Sequence, residues 1–176
     1  MQYSLGIDIG KKGALVILQK DKDLISIRSK IAMPLFKDGS LNMNAIMDFI
    51  DDYIDLGGTK VCMEKIVPIF RVSKTSYGVL KYQEGVIPAL CACKSLDLVQ
   101  VLSREWQEYS FRGIQEIKKK DDASKRDTKA MALQAVKHQF PKEILVFGSR
   151  AVVPHDGLVD AILISNYNLL ILSKNK

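Results

Sequence analysis

The stretch Leu5–Gly13 constrains this chain more than any other, and it reads Leu-Gly-Ile-Asp-Ile-Gly-Lys-Lys-Gly. Large apolar residues alternate with small ones before the turn, which predicts a strand from the middle of a sheet. Asp8 interrupts this strand, and a buried carboxylate is costly unless a cation or hydrogen bonds compensate it. Because Lys11 and Lys12 follow in a tight turn between glycines, the pattern indicates a metal-and-phosphate site. The alternative is that Asp8 only caps the turn.

Composition limits the class of protein. The chain has 176 residues, of which 47% are hydrophobic and 26% charged, and we expect a single soluble domain spanning residues 1–176. The net charge of +6 favours a polyanionic partner, of which nucleic acid is the commonest. Three cysteines without metal-finger spacing, and no signal-peptide pattern, predict a cytoplasmic protein. The apolar run near Asp160–Leu172 is broken by polar residues, which predicts a buried helix and no membrane partner.

Alternating patterns and turn residues predict an α/β fold with a five-stranded mixed sheet flanked by helices. The first three strands follow one another closely and predict an antiparallel meander. A helix precedes the fourth strand, and this crossover favours a strand parallel to the first. The strands predicted after the first are Ala14–Gln19, Leu24–Met33, Thr59–Ile66 and Asp97–Leu102. The predicted helices are Asn42 to about Leu56, Ser73–Lys94, a short helix capped by Ser103, Ser124–Phe140 and Asp156–Leu172.

A second acid lies near the end of the fourth predicted strand, where Glu64 stands in Val-Cys-Met-Glu-Lys. Because parallel strands end at the same edge of a sheet, we expect Asp8 and Glu64 to lie close together. Two buried carboxylates at one edge repel each other unless a cation lies between them.

The last predicted helix carries two further acids, Asp156 and Asp160, which are four residues apart and therefore share one helical face. The helix dipole accounts for Asp156 but not for Asp160, which stands in Leu-Val-Asp-Ala-Ile-Leu-Ile. Four oxygen ligands of this kind suit Mg²⁺ or Mn²⁺. Two such ions about 3.5–4 Å apart can promote phosphodiester hydrolysis. The sequence contains no P-loop motif, which excludes that class of phosphate site.

In three motifs the chain resembles the RuvC-like Holliday junction resolvases, which have the ribonuclease H-like fold. The motifs are Gly-Ile-Asp-Ile-Gly on the first strand, Met-Glu on the fourth, and Pro-His-Asp-Gly-Leu-Val-Asp-Ala opening the last helix. The resemblance implies a Mg²⁺-dependent homodimer that binds four-way DNA junctions and nicks two opposed strands, in recombination, repair or the processing of replication intermediates. It also implies two ions per site, with Mn²⁺ as a substitute. The catalytic metal ligands that it implies are Asp8, Glu64, Asp156 and Asp160.

The chain departs from that family at one point. Many bacterial members have their last two ligands three residues apart, whereas here Gly157 stands three residues before Asp160 and Asp156 stands four before it. Both spacings keep the two positions on one helical face. The relative roles of Asp156 and His155 are left open: His155 is either an accessory proton carrier or phosphate contact, or only a loop residue.

Basic side chains around these motifs are candidate DNA contacts, because lysine and arginine bind phosphates. They are Lys11, Lys12, Lys74, Lys81, Lys118, Lys119, Lys120, Arg126 and Lys129. The polar and basic segment Phe111–Ser124 is predicted to be a mobile loop. Small residues on the helix Ser73–Lys94 favour it as the dimer surface, with core packing inside one subunit as the alternative. Trp106, the only tryptophan, is expected to be a core or lid residue.

Three alternatives keep part of this pattern. The first is a ribonuclease H-like nuclease that acts on RNA–DNA hybrids or on other branched DNA. The second is an actin-like or sugar-kinase ATPase, whose phosphate loop resembles Asp8–Gly13, but the second phosphate loop and the adenosine motif of those proteins are missing from the sequence. The third is a DNA-binding module without catalysis, and the presence of all four acids argues against it.

Overall fold

The computed structural model describes residues 1–67, 73–148 and 150–171, and its centre is one five-stranded sheet. The strands are β1 (Gln2–Asp8), β2 (Ala14–Asp21), β3 (Leu24–Ala32), β4 (Lys60–Glu64) and β5 (Asp97–Val101). Their order across the sheet is β3-β2-β1-β4-β5. The first three strands pair antiparallel, and β4 joins β1 and β5 in parallel. The predicted meander and the predicted parallel strands are both confirmed.

Helices cover both faces of this sheet. They are α1 (Met43–Asp55), α2 (Lys74–Cys93), α3 (Ser103–Ser110), α4 (Thr128–Gln139) and α5 (Asp156–Leu170). One hydrophobic core packs α1 and α2 against one face, and a second core packs α3, α4 and α5 against the other. Within the described residues, no helix is long and apolar enough to cross a membrane. The end of the predicted last helix, Leu172, lies outside those residues.

Two helix starts differ from the prediction. The helix predicted from Ser124 begins at Thr128, because the Asp127 side chain accepts a hydrogen bond from the Ala130 N–H at 3.0 Å and caps it there. The preceding residues pair back on themselves through an isolated bridge between Lys118 and Arg126. Local pairing of this kind competes with helix, and the amphipathic pattern alone does not reveal it.

Ser103 is not the cap of α3. The capping position is Leu102, whose backbone N–H donates to the Glu105 carboxylate at 2.6 Å. Ser103 is the first residue of the helix, and its hydroxyl donates a hydrogen bond to Glu64 at the end of β4. Asn42, at the start of the first predicted helix, caps α1, since its side chain accepts a hydrogen bond from the Ala45 N–H at 3.2 Å. Ser73 caps α2 in the same way by accepting from the Ser76 N–H at 3.1 Å.

Packing of α5 on β1 fixes the position of the last helix. A Cβ at Gly6 would lie 2.3 Å from the Ala161 carbonyl oxygen, so only glycine lets the helix approach this closely. Two reciprocal hydrogen bonds join the strand to the helix, from the Ser4 hydroxyl to the Ser165 carbonyl at 3.0 Å and from the Ser165 hydroxyl to the Ser4 carbonyl at 2.8 Å. The Asn168 amide adds a bond to the Ser4 hydroxyl at 2.9 Å. The first turn of α5 is therefore held beside the end of β1.

Candidate metal centre

Asp8 lies at the last position of β1, in the middle strand of the sheet. Its Oδ2 atom is 2.8 Å from the place where a Cβ at Gly157 would stand, so the carboxylate contacts the first turn of α5. The same Cβ would lie 1.9 Å from the Lys12 carbonyl oxygen. Glycine is therefore required at this position, because any side chain would push α5 away from Asp8 and from the β1–β2 turn.

Glu64 lies at the last position of β4, beside Asp8. The parallel register pairs Ile7 with Met63, which places the two acids one step further along neighbouring strands. Both Glu64 carboxylate oxygens accept hydrogen bonds from α3. Ser103 Oγ donates to Oε1 at 2.5 Å, and Trp106 Nε1 donates to Oε2 at 3.0 Å.

The negative charges of the predicted ligands act on one another. The pKa of Asp8 is raised well above its usual value, first by burial and then by the negative charges of Asp160, Glu64 and Asp156. The pKa of Asp160 is raised to about 7, again first by burial and then by Glu64 and Asp156. Asp8 and Asp160 nevertheless keep some solvent exposure, so the cluster lies at an open rim of the sheet. Such a group of mutually repelling carboxylates attracts a cation.

Lys129 on α4 supplies the positive charge that the structure places in this cluster. Its Nζ lies 2.6 Å from Asp156 Oδ2, and both side chains are more than half exposed, at 74% and 52%. The hydrogen bond to Asp156 raises the pKa of Lys129, and the lysine charge lowers the pKa of both Asp8 and Asp160. Lys129, a predicted phosphate contact, therefore has an acidic partner within the site.

The donor set fits a hard divalent cation in its chemistry, although the ligand shell is not assembled. Over residues 1–67, 73–148 and 150–171, no three Asp, Glu, His or Cys side chains converge closely enough to form a ready metal-binding group. Two of the acids already have partners at the site: both Glu64 oxygens accept hydrogen bonds from α3, and Asp156 pairs with Lys129. The pKa values of Asp8 and Asp160 are raised first by burial and then by the neighbouring negative charges. A divalent cation would offset the repulsion between these carboxylates.

His155 stands at the N-terminal cap of α5. Its Nδ1 accepts a hydrogen bond from the Leu158 N–H at 3.1 Å, and its ring meets the Phe147 ring edge-on, with the centroids 4.9 Å apart. One ring nitrogen is therefore committed to the helix end. The accessory role of His155 as a proton carrier or phosphate contact stays a prediction.

The other predicted DNA contacts fall into two groups. Lys11 and Lys12 are exposed in the β1–β2 turn next to Asp8, and Lys74, Lys119 and Lys120 are exposed elsewhere. The remaining three are held in ion pairs. Lys81 pairs with Glu84, and Lys118 and Arg126 both pair with Glu116. The Lys118–Arg126 bridge also gives part of the predicted loop a local hairpin-like form.

Sequence reasoning missed three residues that hold the site together. Ser103 and Trp106 bind Glu64, and the buried Gln83 of α2 accepts a hydrogen bond from the Gly10 N–H at 2.7 Å. A signal for the first two exists in the sequence. Because β5 runs parallel to β4, the helix that follows β5 starts at the same sheet edge as Glu64. No sequence pattern indicates the role of Gln83, since a single glutamine in an amphipathic helix is usually a surface residue.

The sheet order, the helices on both faces and the acids at one rim define the ribonuclease H-like α/β fold, as predicted. Solved structures with this fold include Thermus thermophilus RuvC, at 12% identity and a TM-score of 0.65, covering 98% of this chain and 96% of that one. T. thermophilus RuvC in complex with a Holliday junction substrate matches at 9% identity and a TM-score of 0.62, over 99% and 97% of the two chains.

The yeast mitochondrial Holliday junction resolvase Ydc2 matches at 14% identity and a TM-score of 0.60, over 92% of this chain and 75% of that one. Comparison of the sequence with protein-family models and with curated proteins finds no match. At such low identities the likeness establishes the fold.

Proposed function

We propose that this protein is a metal-dependent endonuclease that resolves four-way DNA junctions by paired nicks. The observation that carries the proposal is geometric: the register of β1 and β4 sets Asp8 beside Glu64, and Asp8 contacts the first turn of α5, which carries Asp156 and Asp160. The negative charges of the other three acids add to burial in raising the pKa of Asp8. These four come from β1, β4 and the first turns of α5. Resolvases that share the fold, at 9–14% identity, support the choice of substrate.

Asp8 and Asp160 would hold the cations with Glu64 and Asp156, and two Mg²⁺ ions, or Mn²⁺ in their place, complete the proposed site. Bound ions supply an activated water and stabilise the leaving oxygen. The chain itself provides the rest. Lys11 and Lys12 lie in the turn after Asp8, where they can bind the phosphates on either side of the cleaved bond.

The proposed assembly is a homodimer, since two strands of a junction must be cut and each site cuts one. The predicted contact surface is α2, where a Cβ at Gly78 or at Gly85 would have no atom within 4 Å. Close approach of a second helix is sterically open there. We further propose that residues 1–176 act as one domain, in the cytoplasm.

The test is a cleavage assay with the full chain on a synthetic four-way junction, a linear duplex of the same sequence and an RNA–DNA hybrid, each with Mg²⁺ or with chelator. We expect symmetric paired nicks in the junction alone, and only with Mg²⁺. Cutting of only the RNA strand of the hybrid would instead identify a hybrid nuclease.

Asp8→Asn and Glu64→Gln should reduce cleavage to background while junction binding persists, because each removes a proposed ligand charge and keeps the side-chain shape. Asp48→Asn is the matched control, since Asp48 is an exposed acid of α1 on the other face of the sheet. Cleavage that survives Asp8→Asn would overturn the proposal.

A further inference from the structure

We infer that Ser103 and Trp106 are positioning residues that hold the Glu64 carboxylate in place and thereby set the cation affinity of the site. The inference rests on the proposed function, since it gives Glu64 a cation to bind. It assigns a role to the two donors of α3 that neither the motifs nor the resemblance indicated.

The sheet places both donors beside Glu64. In the parallel pairing of β4 with β5, Glu64 stands opposite Val101, and α3 begins two residues later at Ser103. Ser103 and Trp106 are three residues apart, so their side chains share one face of the helix. One donor reaches each carboxylate oxygen, at 2.5 Å from Ser103 Oγ and at 3.0 Å from Trp106 Nε1.

The indole is fixed independently of Glu64. Trp106 is only 1% exposed and belongs to the hydrophobic core that includes Val101, Ala132 and Leu158. Its N–H is a donor without acceptor capacity, and a buried N–H needs a partner. The ring is therefore locked by apolar packing while its one polar atom is aimed at the carboxylate. A donor held in this way is preorganised, and the acid adapts to it.

The two bonds leave room for a cation. An ionised carboxylate has about four lone-pair directions, and one bond to each oxygen leaves further acceptor capacity on both atoms. Glu64 is also close enough to raise the pKa of Asp8 and of Asp160 by charge repulsion. Without the α3 donors, a flexible glutamate would turn away from two like charges and into solvent. The Ser103 hydroxyl and the Trp106 N–H prevent that rotation and keep the Glu64 carboxylate beside the other ligands.

The experiment measures Mn²⁺ affinity from the electron paramagnetic resonance signal of the free ion, with no DNA present. Trp106→Phe removes the N–H and keeps most of the ring volume, and Ser103→Ala removes the hydroxyl. We expect each to weaken Mn²⁺ binding about 10-fold, as the loss of a hydrogen bond to a metal ligand generally does. Ser103→Thr keeps a hydroxyl and should restore binding to near the wild-type value.

Arg104→Ala is the matched control on the same helix, since the Arg104 side chain is 84% exposed and pairs with Glu108. It should leave Mn²⁺ affinity unchanged. Melting temperatures of all variants establish that they are folded, and if Trp106→Phe does not fold, the Ser103→Ala and Ser103→Thr pair decides the question. A purely structural role for α3 would lower the melting temperature without changing the affinity.

The wild-type chain offers a second readout, because Trp106 is its only tryptophan. A cation bound by Glu64 should change Trp106 fluorescence along the same titration curve as the resonance signal. If wild type binds Mn²⁺ and both α3 variants bind it equally well, the inference is wrong while the proposed function stands. If wild type and Asp8→Asn both fail to bind Mn²⁺, the proposed metal-dependent function itself is overturned.

Discussion

Carboxylates crowded at one rim make the stability of the metal-free chain depend on pH. Asp160 has a folded-state pKa of about 7 against 3.8 for an ordinary aspartate, and burial is the main cause. Between these two pH values the folded chain holds a proton that the unfolded chain has released. The free energy of unfolding therefore falls as pH rises from about 4 to about 7. The raised pKa of Asp8 acts in the same direction.

The variant Asp160→Asn removes the titrating group and should flatten this pH dependence. With chelator at pH 7.5, we expect the free energy of unfolding of Asp160→Asn to exceed that of wild type by about 2 kcal/mol. This is less than the whole pKa shift of Asp160 would give, because solvent reaches the site and screens the charges. Urea denaturation at several pH values between 4.5 and 8 measures this difference. Asp48→Asn, on the opposite face, should follow the wild-type curve. A wild-type stability that rises from pH 5 to pH 7 would contradict the prediction.

Lys129 should set the pH at which the site binds cations. Its charge lowers the pKa of Asp8 and Asp160, so Lys129→Ala should raise both pKa values. Cation binding needs ionised carboxylates and should then require a higher pH than in wild type. Lys129→Arg keeps the charge and should stay near the wild-type profile. The measurement is Mn²⁺ affinity from pH 5.5 to 8.5, and identical midpoints for wild type and Lys129→Ala would disprove this role.

At the level of helices and strands, much of the fold follows from the sequence. The alternation around Asp8 and the crossover before Glu64 were enough to place both acids at one sheet edge. The start of the first helix at Asn42 also follows from the sequence, because asparagine is a preferred helix N-cap. The predicted start of α4 is wrong because Lys118 pairs with Arg126 through backbone contacts, which the spacing of apolar residues does not reveal.

The environment of each acid was harder to predict than its position. The sequence indicated four acids, but it did not indicate that Trp106 and Ser103 would bind one of them or that Lys129 would pair with another. Those contacts depend on the rotation of α3 and α4 about their own axes. That rotation is decided by core packing, and short amphipathic helices leave it undetermined within a residue or two.

Close packing of α5 on β1 gives a prediction at this same scale. Gly6→Ala places a Cβ 2.3 Å from the Ala161 carbonyl oxygen, and a backbone atom cannot move aside as a flexible side chain can. The helix must shift outward, at a cost of about 1–3 kcal/mol or more in the free energy of unfolding. Because α5 carries two of the four acids, Mn²⁺ affinity should fall as well. An unchanged unfolding midpoint in urea would show that the helix is not held as described.

For the whole molecule, the net charge of +6 predicts binding of a polyanion that weakens steeply with salt. Replacing Lys11 and Lys12 by glutamine should reduce the slope of log affinity against log salt by about 1.8, if each contacts one phosphate of duplex DNA. Junction binding by the Asp8→Asn chain, which should not cut its ligand, measures this slope. Lys137→Gln, an exposed lysine of α4 outside the predicted contacts, serves as control. Equal slopes in both variants would remove the β1–β2 turn from the DNA surface.

The bonds between Ser4 and Ser165 span 161 residues, and they join the first strand to the last helix. During synthesis, β1 leaves the ribosome long before α5 does, and until then Gly6 and Asp8 have no helix against which to pack. All four acids therefore cannot come together before α5 has been synthesised, although Asp8 and Glu64 can already meet once β1 and β4 pair. A chain stalled before α5 lacks Asp156 and Asp160, so translation itself delays assembly of the proposed cation site until this helix can pack on β1.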